Sequence, residues 1–126
     1  MYHILIVAAG GACGAVARHL SNIAAIRLFG LGFPWGTLFV NVFGSLLMGL
    51  LVGWLVRRTG GSTNELRLLL ATGFLGGFTT FSAFSLDFVL LWRESTPTIA
   101  IAYALASVLI SLLAIMTGFW LIRSTA

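Results

Sequence analysis

Charge is scarce in this chain. Only 8% of its 126 residues are Asp, Glu, Lys or Arg, whereas 60% are hydrophobic and the mean hydropathy is +1.08. A soluble domain needs a polar surface that this composition cannot supply, so a water-soluble fold is excluded. Lysine is missing altogether, and the net charge of +4 comes from seven arginines against three acids. Those arginines lie scattered near the ends of apolar segments, which argues against nucleic acid as a partner. A single cysteine, Cys13, excludes an internal disulfide or a cysteine metal cluster and reads as a small buried packing residue. The side chains that catalysis requires are also lacking: there is no Ser/His/Asp set, carboxylate pair, phosphate-binding loop or histidine pair at metal-ligand spacing, so no enzyme is expected. His3 and His19 read as interfacial. The first stretch has no basic opening of the signal-peptide kind, and more apolar sequence follows, so it is expected to stay in place as a helix.

What the chain has in abundance is long apolar sequence. Four stretches, Tyr2 to Phe29, Phe33 to Val56, Leu66 to Trp92 and Thr98 to Ile122, each exceed the roughly 20 residues that a spanning helix needs. The expected fold class is an all-α integral membrane protein of four transmembrane helices, one domain over residues 1–126. Arg57, Arg58, Arg67 and Arg123 fall on one side and Arg27 and Arg93 on the other, with Arg18 too deep to assign. So small a bias barely specifies orientation under the positive-inside rule. Insertion in both orientations, and an antiparallel homodimer of inverted copies, is therefore expected, since four helices are too few to enclose a wetted pathway.

The third stretch contains Gly73-Phe-Leu-Gly-Gly-Phe-Thr-Thr-Phe-Ser-Ala-Phe-Ser85. Three glycines in five positions followed by two β-branched threonines weaken a helix where lipid offers no water in compensation, which predicts a broken third helix. Non-helical backbone at membrane depth is tolerated where protein buries it or a wet cavity receives it. The hydroxyls and aromatic rings that follow suggest an ion path.

Other polar residues are few enough to weigh singly. In the first helix Gly10 and Gly14, or Gly11 and Ala15, form a small face for close packing. Arg18, well inside that helix, must be paired, capping carbonyls or snorkelling. Pro34 and the interface anchor Trp35 open the second helix. Asn41 shares a four-residue stripe with Ser45, Gly49 and Gly53, and serves either as interhelical glue or as a pore-facing amide. Residues 57–65 form a polar connector, with Ser62 to Glu65 resembling a helix-capping start. Asp87 is the lone acid inside any stretch, either functional or in an interfacial salt bridge. Pro97 starts the fourth helix, where Tyr103, Ser107 and Ser111 recur every fourth residue. Each serine alone could bond its own i−4 carbonyl, yet three in register suggest a polar track.

Neutral donors on Asn41, Thr80, Ser82, Tyr103, Ser107 and Ser111 favour an anion, and neutrality keeps binding weak enough for release. A phenylalanine ring carries positive potential at its edge, so Phe81 and Phe84, three apart on one face, could also receive a small hard anion, though core packing is the usual role of such a pair. Carbonyls freed in the broken turn could coordinate a small cation such as sodium, and two breaks meeting across a two-fold axis would surround one central ion.

With these residues assembled, the chain resembles the Fluc family of fluoride channels, also called CrcB proteins. The resemblance spans all four helices. It rests on Gly10-Gly11 through Arg18, Gly36-Thr37 through Asn41 and Gly44, Gly73 through Phe84 in a GGxTTFSxF pattern, and the Tyr103, Ser107, Ser111 ladder. It implies a dual-topology antiparallel homodimer in the inner membrane of a bacterium, with two pores that pass fluoride passively out of the cell and relieve its toxicity. Phe81 and Phe84 match the family's ring-edge fluoride box and Asn41 its pore-lining amide. Thr80, Ser82, Tyr103, Ser107 and Ser111 match its polar track, the carbonyls of Gly76 and Thr79 its central sodium site, and Arg18 its vestibule arginine. Ala83, where threonine is common, and Asp87, where glutamate is usual, are mild departures. The alternatives are a four-helix multidrug exporter, which would need an acid that the first helix lacks, and an assembly subunit, which would leave the hydroxyl track unexplained.

Overall fold

The computed structural model describes residues 1–58 and 63–125, and its elements there are all helical. In order they are α1 (Tyr2–Phe29), α2 (Trp35–Arg57), α3 (Thr63–Arg67), a π-helical segment (Leu68–Leu75), α4 (Gly76–Phe78), α5 (Phe81–Glu94) and α6 (Pro97–Ser124). Four spans are long and apolar enough to cross a membrane: α1, α2, Asn64–Glu94 and α6. Helices α1, α2 and α6 are apolar on every side, as lipid-facing helices are, so no water-facing stripe orients them. Their ends agree with the apolar stretches to within two residues. Residues 59–62 of the connector, and with them the expected Ser62 cap, lie outside the described residues.

Local chemistry accounts for the helix ends. Pro34 precedes the first turn of α2, and Pro97 occupies the first turn of α6, where its missing N–H costs nothing. Thr96 caps α6 by accepting from the Ile99 N–H at 3.2 Å. At the other end of that helix, Arg57 Nη1 donates to the Ile122 carbonyl at 2.9 Å, satisfying one of the last four orphan carbonyls. Gly30, at φ 81°, turns the chain out of α1.

Two glycine seams hold the spans together. The most extensive pairings are α2 with α6 and α1 with the π segment. Gly10 and Gly14 of α1 lie so close to the Leu69–Phe78 backbone that a Cβ would fall on the carbonyl oxygens of Leu69 and Phe74. Likewise Gly49 and Gly118 are pressed against the backbones of α6 and α2. Such contacts replace the hydrophobic drive that lipid removes. In both seams residue numbers rise together, so α1 runs parallel to the third span and α2 parallel to α6. Arg57, Arg58, Arg67 and Arg123 therefore share one end of the bundle, opposite Arg27 and Arg93.

Three expectations need correction. Cys13 is exposed on this chain, not buried, because the buried glycines Gly10 and Gly14 hold the packed face and Cys13 falls beside it. The stripe from Asn41 to Gly53 does not face one partner. A four-residue step overshoots a 3.6-residue turn, so Asn41 and neighbouring Gly44 meet the third span while Gly49 and Gly53 meet α6. Finally, the glycines of the third stretch stay helical, with Gly76 at φ −63°, ψ −37°. The residues that leave the helix are Thr79 (φ −84°, ψ 156°) and Thr80 (φ −153°, ψ 125°). Extended backbone suits a β-branched residue, whereas the glycines are needed where α1 approaches.

Candidate functional site

The side chain that meets the two extended threonines is Asn41. Its Nδ2 donates to the Thr80 carbonyl at 2.9 Å and its Oδ1 accepts from the Thr80 N–H at 2.7 Å, so the amide pairs with the backbone as a neighbouring strand would. Gly44, one turn further along α2, leaves room for the Thr79 methyl group. Thr79 Oγ1 donates back to the Leu75 carbonyl at 2.9 Å. Thr80 Oγ1 accepts from the Ala83 N–H at 3.2 Å, capping α5, and lies 3.3 Å from Ser82 Oγ. Of the two uses foreseen for Asn41, the interhelical one is present, and only its second Nδ2 hydrogen remains for an ion.

These bonds redirect two others. In an unbroken helix the Thr80 N–H would reach the Gly76 carbonyl and the Ala83 N–H the Thr79 carbonyl. Asn41 Oδ1 takes the first and Thr80 Oγ1 the second. The carbonyls of Gly76 and Thr79 thus lose their helical donors to side chains, whereas those of Gly77 and Phe78 lose theirs to the break itself; Gly76 is exposed there and Thr79 half-buried. Orphan carbonyls at membrane depth demand a cation or a donor from elsewhere.

Phe81 and Phe84 are neighbours, with ring centroids 5.5 Å apart and planes tilted by 54°. Their surroundings differ. Phe84 packs against Tyr103, centroids 5.3 Å apart, whereas Phe81 is 76% exposed and points off the protomer with Ser82. No single chain surrounds both rings.

Tyr103 is 1% exposed, with Phe33 edge-on at 5.4 Å, and its hydroxyl donates to Asp87 Oδ2 at 3.1 Å. That bond gives Asp87 a partner other than the arginine at the helix end. Below Tyr103 on α6, the hydroxyls of Ser107 and Ser111 are buried without a well-formed hydrogen bond, Ser107 lying within reach of the Tyr103 hydroxyl. The i−4 bond available to a helical serine is not made, although Ser21, Ser85 and Thr117 all make it, to Ala17, Phe81 and Leu113. A buried orphan hydroxyl costs about 1–3 kcal/mol. Arg18, half-buried one turn beyond Gly14, has no hydrogen-bond partner among the described residues.

Two further polar side chains belong to this region, although the sequence pattern assigns neither of them a role. Thr37 is 7% exposed, one turn before Asn41 on α2, and extending the stripe backwards would have found it. Asn22 is a second carboxamide within a span, one turn beyond Arg18 on α1. Both line a cavity of about 300 Å³ that they share with Ala83 and Asp87 beneath the Gly30–Pro34 turn. Asp87 also lines an adjoining cavity of about 350 Å³ with Glu94 and Ser95. One end of the polar row therefore opens between α1, α2 and α5. A larger cavity of about 760 Å³, between α1, α2 and α6, is walled almost wholly by apolar side chains.

Residues 5–119 match the family described as CrcB-like protein, Camphor Resistance (CrcB). A protein of Chelativorans sp. named fluoride-specific ion channel FluC is 59% identical over 98% of both chains. Proteins of the same name from Mesorhizobium japonicum and Hyphomonas neptunium are 52% and 51% identical, over 98% of this chain and 98% and 97% of theirs. With a family match over most of its length and relatives this similar from end to end, the chain belongs to the CrcB family.

Proposed function

We propose that this protein is a fluoride-selective channel of a bacterial inner membrane, which lets fluoride leave the cell down its gradient and so limits its toxicity. The observation that carries the reading is the pair of buried hydroxyls on Ser107 and Ser111, in register with Tyr103 and neither making a well-formed hydrogen bond. Hydroxyls kept at that cost in an apolar span want a transient partner, and a small hard anion is the partner that neutral donors hold without trapping. The name of the similar proteins, fluoride-specific ion channel, points to fluoride as that anion. The chain is a transport protein and not an enzyme.

The functional unit is an antiparallel homodimer with two pores. Supporting this, Phe81, Ser82 and Gly76 are exposed on one chain although they belong to its most distinctive motif. A second, inverted copy would cover them, bring its Phe81 ring edge to this copy's path, and set the two broken third spans against each other. Phe81 and Phe84 would then pass the ion between ring edges. Thr80, Ser82, Tyr103, Ser107 and Ser111, with the remaining hydrogen of Asn41, would take over its hydration, while Arg18 would add positive potential at the approach.

The carbonyls of Gly76 and Thr79 fit a sodium ion at the dimer centre, because both have lost their helical donors and carbonyl oxygen is a hard ligand suited to sodium. Bound there, sodium would supply fixed positive charge that neutralises the crowded carbonyls and attracts anions nearby. The test is efflux from liposomes holding purified protein, followed with a fluoride electrode. Rapid fluoride loss that needs an ionophore for charge balance, ignores proton gradients and is not matched by chloride is the expected result. Efflux no faster than from empty liposomes would end the reading, and strictly proton-coupled loss would make the protein an exchanger.

A further inference from the structure

Asn41 and Thr80 each hold a backbone N–H that an unbroken helix would give to a neighbouring carbonyl. Asn41 Oδ1 holds the Thr80 N–H at 2.7 Å, and Thr80 Oγ1 holds the Ala83 N–H at 3.2 Å. The carbonyls deprived in this way are those of Gly76 and Thr79, three residues apart on either side of the same turn. Two different side chains from two different spans thus release the two oxygens that the cation reading requires. The same amide gives one Nδ2 hydrogen to the Thr80 carbonyl, so Asn41 grips Thr80 by both its N–H and its C=O.

We infer that Asn41 and Thr80 are positioning residues for the cation site: their side chains stand in for the Gly76 and Thr79 carbonyls as hydrogen-bond acceptors and keep both oxygens available to a small cation. This rests on the sodium site proposed above and adds what holds it open. Restoring either N–H to its helical acceptor would close the turn toward regular helix and withdraw one carbonyl per protomer. The Gly44 gap fits the same design, because the Thr79 methyl lodged there holds that residue extended against α2.

The inference is tested by thermal unfolding of the purified protein in sodium chloride and in N-methylglucamine chloride of equal ionic strength. Wild-type protein is expected to unfold several degrees higher in sodium. Thr80→Val, which keeps the shape but loses the acceptor, and Asn41→Leu, which loses both amide ends, should unfold at nearly the same temperature in the two salts. Thr80→Ser, which keeps the oxygen, should retain the sodium gain. If Thr80→Val or Asn41→Leu yields no folded protein, half-saturating sodium measured for Thr80→Ala serves instead, expected to rise on the order of tenfold, the equivalent of about 1.4 kcal/mol, because one carbonyl ligand per protomer is withdrawn. A purely structural role would lower stability equally in both salts and leave the sodium gain intact, and that result overturns the inference. Wild-type protein indifferent to sodium would instead remove the cation site itself.

Discussion

Ser21 and Ser107 are the same side chain in the same kind of helix, yet Ser21 returns its hydrogen to the Ala17 carbonyl and Ser107 does not. The difference has a thermodynamic signature. If the Ser107 and Ser111 hydroxyls serve an ion and not the fold, replacing both with alanine removes two buried orphans. Ser107→Ala/Ser111→Ala should then unfold at the wild-type temperature or above it while fluoride efflux slows. A lower unfolding temperature with unchanged efflux would show instead that these hydroxyls are structural. Phe81 makes the complementary case. Because it is 76% exposed, Phe81→Ile should leave the protomer's own packing intact. It removes the ring edge, so efflux should fall by an order of magnitude or more if that edge supplies even one charge-assisted contact. Efflux at the wild-type rate would exclude the ring from the path.

At the scale of elements, the two glycine seams fix which helices can be neighbours. In the α1 seam Gly11 and Gly14 lie three residues apart but differ in clearance. A Cβ at Gly11 would find the Gly73 carbonyl oxygen at 3.9 Å, an ordinary contact, whereas at Gly14 it would fall on the Phe74 carbonyl, which is backbone and cannot rotate away. Gly11→Ala should therefore be nearly neutral. Gly14→Ala should cost about 1–3 kcal/mol, seen as a lower unfolding temperature in detergent, since overpacking a tight contact moves the whole helix. Equal stability of the two variants would mean that the seam is looser than its geometry. The π-helical turns of Leu68–Leu75 belong to the same problem. They change the residue count per turn, so a face read at four-residue spacing cannot be carried through them. No periodicity in the leucine-rich run Leu68-Leu-Leu-Ala-Thr-Gly announces that widening.

At the scale of the molecule, the parallel pairing of α1 with the third span and of α2 with α6 gathers four arginines at one end and two at the other. This remains a weak bias for insertion. With Cys13→Ser as background, a cysteine at Ser124 should be labelled by a membrane-impermeant maleimide to about half of its total in intact cells, as equal orientations require. Labelling that is complete or absent would establish a single orientation and dismantle the antiparallel dimer with its paired third spans.

The number, length and ends of the spans could be read from the sequence because hydropathy accumulates residue by residue and bilayer thickness sets the length needed. The hydroxyl row on α6 was equally legible, since one regular helix carries it. What only the tertiary structure decided is who bonds whom: Asn41 with the Thr80 backbone, Tyr103 with Asp87, Asn22 and Thr37 around one cavity, Ser107 and Ser111 without a well-formed bond. The departure from helix fell on Thr79 and Thr80 and not on the glycines for the same reason. Propensity is a property of a residue, but an acceptor for the Thr80 N–H exists only once α2 has been brought alongside, and that approach depends on glycines far apart in the chain.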